Sequence, residues 1–106
     1  MITITVKKRK GYYRDFESKG HAGYAEEGSD IICAAVSALI INAVNSLEKF
    51  TEDAFDVQEK DGYVRLHFPE MLSGEGTLLM DSLVLGLTEI ENSYKNQYLT
   101  VKIREV

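Results

Sequence analysis

Apolar and polar residues alternate at both ends of the chain. At positions 2–6, isoleucine and valine alternate with threonine, which is the period of a strand with one buried face. The segment 12–18 is predicted to be its partner across a turn at Gly11. Positions 99–103 alternate in the same way near the C-terminus. The pattern therefore predicts an N-terminal hairpin and a last strand.

Two longer segments have the helical period. The segment 31–44 is apolar nearly all round, and Ser29 or Asp30 can cap its start. A helix that is apolar on every side needs cover on more than one side, so we expect a second layer or a second copy of the chain against it. A second helix is predicted to open at Ser73 and run to Tyr94. Gly86 in its middle costs about 1 kcal/mol relative to alanine, which predicts a close contact between the two helices.

Between the helices the sequence predicts a second hairpin. The dipeptide Asp61-Gly62 is preferred in two-residue type I′ turns. This turn sets Val57 opposite Leu66, and the apolar residues of both strands then share one face. Phe68 is the last apolar residue of that face.

The order of these elements predicts an α+β fold. We expect a single domain, residues 1–106, with the order ββαββαβ and two long helices packed against a largely antiparallel sheet. The formal net charge of -5 argues against direct nucleic-acid binding. We find no apolar run of about 18 residues and no signal-peptide pattern. We therefore expect a cytoplasmic protein with no membrane partner.

The candidate chemistry centres on a cysteine and a histidine. Cys33 lies in the first turns of the predicted helix, and His21 lies across a loop before it. The positive end of a helix and a nearby imidazolium both favour a thiolate. The two residues are too far apart for one helical face, so they can form a dyad only if the loop folds back. The alternative for a lone cysteine in an apolar helix is core packing.

The loop between the second strand and the first helix is rich in glycine and acidic residues. Its members of interest are Gly20, Gly23, Glu26, Glu27 and Gly28. The loop is either a lid that orders over a basic peptide or an ordinary exposed loop. Backbone amides at the helix start are candidate donors to an oxyanion. Asp30 is either a helix cap, which we favour, or a third residue that orients His21.

The other titratable residues suggest no second site. His67 is predicted to face Asp56 across the second hairpin, where a surface pair explains it. One cysteine and two histidines in separate elements lack the spacing of a metal site. We therefore expect neither a metal nor another cofactor.

The segment Gly20-His21-Ala22, followed by Asp30 and then Cys33, resembles the signature of a bacterial family, the ribosomal-processing cysteine protease Prp. The resemblance implies that Cys33 is the nucleophile and His21 the base, and that the protein is a homodimer. It also implies a ribosomal protein precursor as partner. The expected reaction removes the N-terminal extension of the twenty-seventh large-subunit ribosomal protein.

Two alternatives remain at the level of the sequence. One is a non-catalytic ribosome-assembly factor that binds the same ribosomal protein, with Cys33 merely buried. The other is a hydrolase or transferase that acts on a different thiol-reactive acyl substrate.

Overall fold

The computed structural model describes residues 1–26 and 30–106. Two long helices pack on one five-stranded sheet. The elements in chain order are β1 (Ile2–Arg9), β2 (Tyr12–Lys19), α1 (Ile31–Phe50), β3 (Asp56–Lys60), β4 (Tyr63–His67), α2 (Gly74–Ser93) and β5 (Leu99–Glu105). The α+β class and the predicted order ββαββαβ are confirmed.

The sheet has the strand order β3-β4-β2-β1-β5. All neighbouring strands are antiparallel except β1 and β5, which run parallel because α2 connects β4 to β5 across the sheet. Ile2, Ile4 and Val6 of β1 are buried, as their alternation with threonine predicts. The core therefore lies between this face of the sheet and the two helices.

Helix α1 combines a buried face with exposed apolar residues. Its core residues are Ile32, Val36, Ile40, Ala43 and Leu47. By length and composition alone, with a mean hydropathy of 1.8, α1 is apolar enough to cross a membrane. Its buried face instead packs in the core of the domain, as in many core helices. Ile31, Ile41 and Phe50 remain more than half exposed, so one copy of the chain does not supply the second cover that the sequence led us to expect.

The two helices approach closely at Gly86, as predicted. A methyl group at Gly86 would lie 3.0 Å from Cδ1 of Leu39 in α1. Glycine at this position therefore allows the close helix contact that we inferred from its low helix propensity.

The second hairpin has the predicted register but a different turn. Val57 pairs with Leu66. Gly62 has a φ of 67°, whereas Asp61 is not among the described non-glycine residues with positive φ. A type I′ turn needs positive φ at both central positions, so that prediction is wrong. A left-handed residue at the second position only is the pattern of type II turns.

The hairpin is also less covered than its apolar face suggests. Leu66 is fully buried, but Val57 on the same face is 41% exposed, and every residue of β3 is exposed. The reason is position, because β3 is one of the two edge strands of the described sheet. The uncovered part of this face forms one wall of a groove.

Leu66→Ala should therefore cost far more stability than Val57→Ala, although the two residues face each other across the same pair of strands. We expect a loss of about 2–5 kcal/mol for the buried leucine and less than about 1 kcal/mol for the exposed valine. Urea denaturation of the two variants measures this difference. Equal losses would show that β3 is covered in solution.

Candidate active site

Cys33 lies in the first turn of α1, with its thiol free and half-buried. The backbone amide of Ala22 donates a hydrogen bond of 3.3 Å to its sulfur. Ala22 directly follows His21 in the chain, so the loop does fold back onto the helix start.

Asp30 joins this loop to the helix. It is the N-cap of α1, and its Oδ1 accepts hydrogen bonds of 3.0 Å from the amides of Ile32 and Cys33. Its Oδ2 accepts a third, also 3.0 Å, from the amide of Tyr24. Burial by itself raises the pKa of the Asp30 carboxyl, but the hydrogen bonds from Cys33, Tyr24 and Ile32 outweigh it and hold the pKa below its ordinary value.

The hydrogen bonds of Asp30 change the expected source of oxyanion donors. The amides of Ile32 and Cys33 are both engaged by the Asp30 side chain, and the amide of Ala34 donates to the Asp30 carbonyl. In this arrangement the amides of Ile32, Cys33 and Ala34 are therefore engaged within the protein and are not free for an oxyanion. The Ala22 amide is the donor that reaches the sulfur.

His21 lies over the turn between β3 and β4. Its Nε2 is 4.0 Å from Oδ2 of Asp61, and its side chain is 59% exposed. The amide of Gly20 donates a 2.8 Å hydrogen bond to the carbonyl of Gly62. Among the described residues, no hydrogen bond joins the His21 ring to Cys33. Both side chains nevertheless line the same groove, and the chain next to His21 touches the sulfur.

The described part of the predicted loop is held at several points. Gly20 has a φ of 99°, and a Cβ there would meet the carbonyl oxygen of Met1 at 2.5 Å, so the loop starts with a close backbone approach that glycine permits. The ring of Tyr24 packs edge-on against Tyr94 and Tyr98, with centroids 6.0 and 5.3 Å away.

The remaining loop predictions have different outcomes. Gly23 has a φ of 74° with open space around it, and Glu26 is exposed. Glu27, Gly28 and Ser29 lie outside the described residues, so the lid hypothesis stays a prediction.

A groove of about 960 Å³ runs between α1 and the β2, β4 and β3 side of the sheet. Cys33 and His21 line it together with Asp30. Apolar side chains form much of its surface: Ile2, Val36, Ile40, Ile41, Val44, Val57 and Val64. Polar groups of the groove are those of Ser18, Ser37, Asn45, Glu59, Lys60 and Tyr63. An open apolar groove beside a thiol suits an extended peptide with apolar side chains.

His67 lies elsewhere, as the sequence indicated, but with a different partner. Asp56 is its cross-strand neighbour on β3, whereas its Nδ1 lies 3.1 Å from Oδ1 of Asp15 on β2. Arg65 also contacts that oxygen, at 2.6 Å. Asp15 is flanked by both side chains because β4 lies between β2 and β3. The predicted position of His67 opposite Asp56 is therefore confirmed, but the carboxylate that its ring contacts is that of Asp15.

Three residues of the site were not assigned to it by sequence reasoning. Ala22 was overlooked because its contribution is a backbone amide. Asp61 and Gly62 were interpreted only as a turn. Their contact with His21 depends on the pairing of β4 with β2, and hydrophobic alternation carries no information on which strands are neighbours. Within ranges 1–26 and 30–106, no group of three His, Cys, Asp or Glu side chains is arranged to hold a metal ion.

A free thiol at a helix start, a histidine on the adjoining loop and a peptide-sized groove are the kinds of groups that a cysteine protease uses. The family model described as "Cysteine protease Prp" matches residues 1–99. The chain belongs to this family of cysteine proteases.

Individual relatives agree with this assignment. The chain is 36% identical over 104 residues to the ribosomal processing cysteine protease Prp of Bacillus subtilis, with 91% of this chain and 92% of the relative covered. It superposes with a TM-score of 0.92, at 27% identity, on the Staphylococcus aureus Prp structure with a covalently linked product peptide, which covers 97% of this chain and 99% of that one. The same coverage and a TM-score of 0.86, at 26% identity, are found for the S. aureus complex with a substrate peptide.

Asp30→Asn should destabilise the protein at pH 7, because the variant loses the charge that three amides bind. The lowered pKa means that the carboxylate stabilises the folded state above the ordinary aspartate value of about 3.9. This contribution is lost as the pH falls through the lower pKa of the folded state. The Tm difference between wild type and variant should therefore be a few degrees at pH 7 and shrink below about pH 4.

Differential scanning calorimetry over this pH range checks the expectation. Glu26→Gln, which neutralises an exposed carboxylate of the same loop, is the matched control. A Tm difference for Asp30→Asn that stays constant down to the lowest pH would contradict the assigned role of the charge.

Proposed function

We propose that Cys33 and His21 form the catalytic dyad and that the protein removes the N-terminal extension of a ribosomal protein precursor. The supporting observation is the fold-back of the loop, which brings the Ala22 amide to the Cys33 sulfur and puts His21 in the same groove. The ribosomal-processing names of the relatives support the choice of substrate class.

In the proposed reaction, His21 takes the proton of the Cys33 thiol, and the sulfur attacks the scissile carbonyl carbon. The tetrahedral intermediate collapses when the carbon–nitrogen bond breaks, and the imidazolium gives its proton to the leaving amine. The leader is then held as a thioester. His21 next takes a proton from water, the resulting hydroxide attacks the thioester, and the sulfur leaves to regenerate the thiol with that proton.

We further propose that the substrate is the precursor of the twenty-seventh large-subunit ribosomal protein. Ribosomal proteins are generally basic, and a net charge of -5 on the enzyme favours encounter with a basic chain. The apolar groove would hold the leader, with the carbonyl to be cleaved next to Cys33. The reaction needs neither metal nor cofactor and belongs in the cytoplasm, where ribosomal proteins are made.

A homodimer is part of the same proposal. Ile31 and Phe50 of α1 and Leu78 and Leu85 of α2 are each more than half exposed. These side chains lie on the two helices, whose opposite sides pack on the sheet. A second copy is the partner we propose, because it would bring an equally apolar surface.

Cys33→Ala should abolish cleavage, with a loss of about 1,000-fold or more, because no other group of the site can form the thioester. His21→Ala should lose about 100-fold or more, since general acid–base catalysis is worth that much. His67→Ala is the matched control and should stay within about twofold, because its ring is paired with Asp15 away from the groove. The assay incubates the protein with the ribosomal protein precursor of its own organism and determines the product N-terminus by mass spectrometry.

The outcomes separate the rival functions. Retained cleavage by Cys33→Ala would contradict the dyad. Tight binding of the precursor by the wild type with no cleavage would favour the assembly factor. Cleavage of unrelated acyl esters but not of the precursor would favour the other acyl-transfer chemistry.

Leu85→Glu should weaken the dimer at least tenfold, because it places a charge in the apolar contact between the two copies. The fold of the single chain should tolerate the change, because Leu85 is 62% exposed there. Sedimentation equilibrium measures the dissociation constant. Glu89→Gln, also exposed on α2, is the control. A wild-type protein that is monomeric at micromolar concentration would refute the dimer.

A further inference from the structure

We propose that the turn Asp61-Gly62 is a positioning element for the catalytic histidine. The inference rests on the proposed role of His21 as the base. In this view Gly62 provides the surface on which the imidazole lies, and the carboxylate of Asp61 fixes which ring nitrogen faces outward.

The His21 ring has room next to the turn because Gly62 has no side chain. A Cβ built there would lie 2.8 Å from Nε2 of His21 and 3.4 Å from both Cδ2 and Cε1. The imidazole therefore occupies the space that any larger residue would fill. The contact is at the end of the His21 side chain, so a methyl group at Gly62 would displace the ring before it disturbed the backbone.

The backbone holds the turn in this place. Lys19, the last residue of β2, pairs with Tyr63, the first residue of β4. The amide of Gly20 then donates to the carbonyl of Gly62 at 2.8 Å. His21 is the next residue, so its Cα is tied to the turn by a short and hydrogen-bonded path. Movement of the ring is thereby limited largely to its own side-chain rotations.

Asp61 adds an electrostatic preference for one orientation of the His21 ring. Its Oδ2 lies 4.0 Å from Nε2 of His21, too far for a direct hydrogen bond but close enough for attraction between charges. Asp61 is 90% exposed, so solvent screens its charge. The attraction is also weak while the imidazole is neutral. It grows when His21 carries the proton taken from Cys33. With Nε2 toward the carboxylate, Nδ1 remains for the thiol.

Gly62→Ala should lower kcat at least tenfold and leave KM within about twofold, because the ring moves while the groove remains. Gly11→Ala is the matched control. Gly11 also follows a turn residue in a hairpin and has a positive φ of 82°, but a Cβ there would meet nothing within 4 Å. Both variants carry the strain of alanine at positive φ, so their Tm values should fall by similar amounts. Only Gly62→Ala should lose kcat.

Asp61→Asn tests the charge with little effect on the turn, because asparagine and aspartate are both common turn residues. We expect kcat to fall about two- to fivefold, with an unchanged KM. Asp61→Glu restores the carboxylate and should recover most of the loss. The shape of the pH–rate profile should change in Asp61→Asn and not in Gly11→Ala.

The assay includes His21→Ala, which separates two kinds of failure. If His21→Ala keeps its activity, the proposed dyad fails and the role of the turn fails with it. If His21→Ala is inactive while Gly62→Ala keeps the kcat of Gly11→Ala, or exceeds it, the positioning role is wrong and the dyad stands. Should Gly62→Ala fail to fold, equal kcat and pH profiles for Asp61→Asn and wild type overturn the proposal.

Discussion

The active site depends on one carboxylate, that of Asp30. Its two oxygens accept three amide hydrogen bonds, two from the start of α1 and one from the loop that carries His21. The same group therefore fixes the helix that carries Cys33 and the segment that carries His21. Because two of these donors are amides at a helix N-terminus, the carboxylate is favoured in its charged form. The capping interaction is thus also the link that brings the two halves of the site together.

The groove exists because the two helices cover the sheet unevenly. The helices pack on the central strands and leave the edge strand β3 exposed, so the apolar side of Val57 faces a channel instead of the core. Cys33 lies at the side of α1 that borders this channel. A fully covered sheet would be more stable, but it would leave no place for a peptide beside the thiol. Binding surface is therefore obtained from incomplete packing at one edge.

Local sequence signals predicted much of the fold and part of the site. Alternation identified β1, and the paired apolar residues gave the register of Val57 with Leu66, because a one-residue slip would expose them. The position of Cys33 behind Asp30 indicated a capped helix start. Strand neighbours were not predictable, since they depend on the whole sheet. For that reason the position of His67 opposite Asp56 was predicted correctly, but its side-chain contact with Asp15 on β2 was not.

The contact of Asp61 and Gly62 with His21 was missed for the same reason. The capping role of Asp30 was predicted and is observed, but the engagement of both the Ile32 and the Cys33 amide by one carboxylate oxygen was not predicted, because it depends on a side-chain rotamer.

The proposed function depends on attack by Cys33 on a peptide carbonyl held in the groove. A leader-sequence peptide with a ¹³C-labelled aldehyde in place of the scissile amide tests this claim most directly by NMR. We predict a tetrahedral hemithioacetal signal with the wild type and none with Cys33→Ala. Binding of the aldehyde to the wild type without that signal would contradict the account.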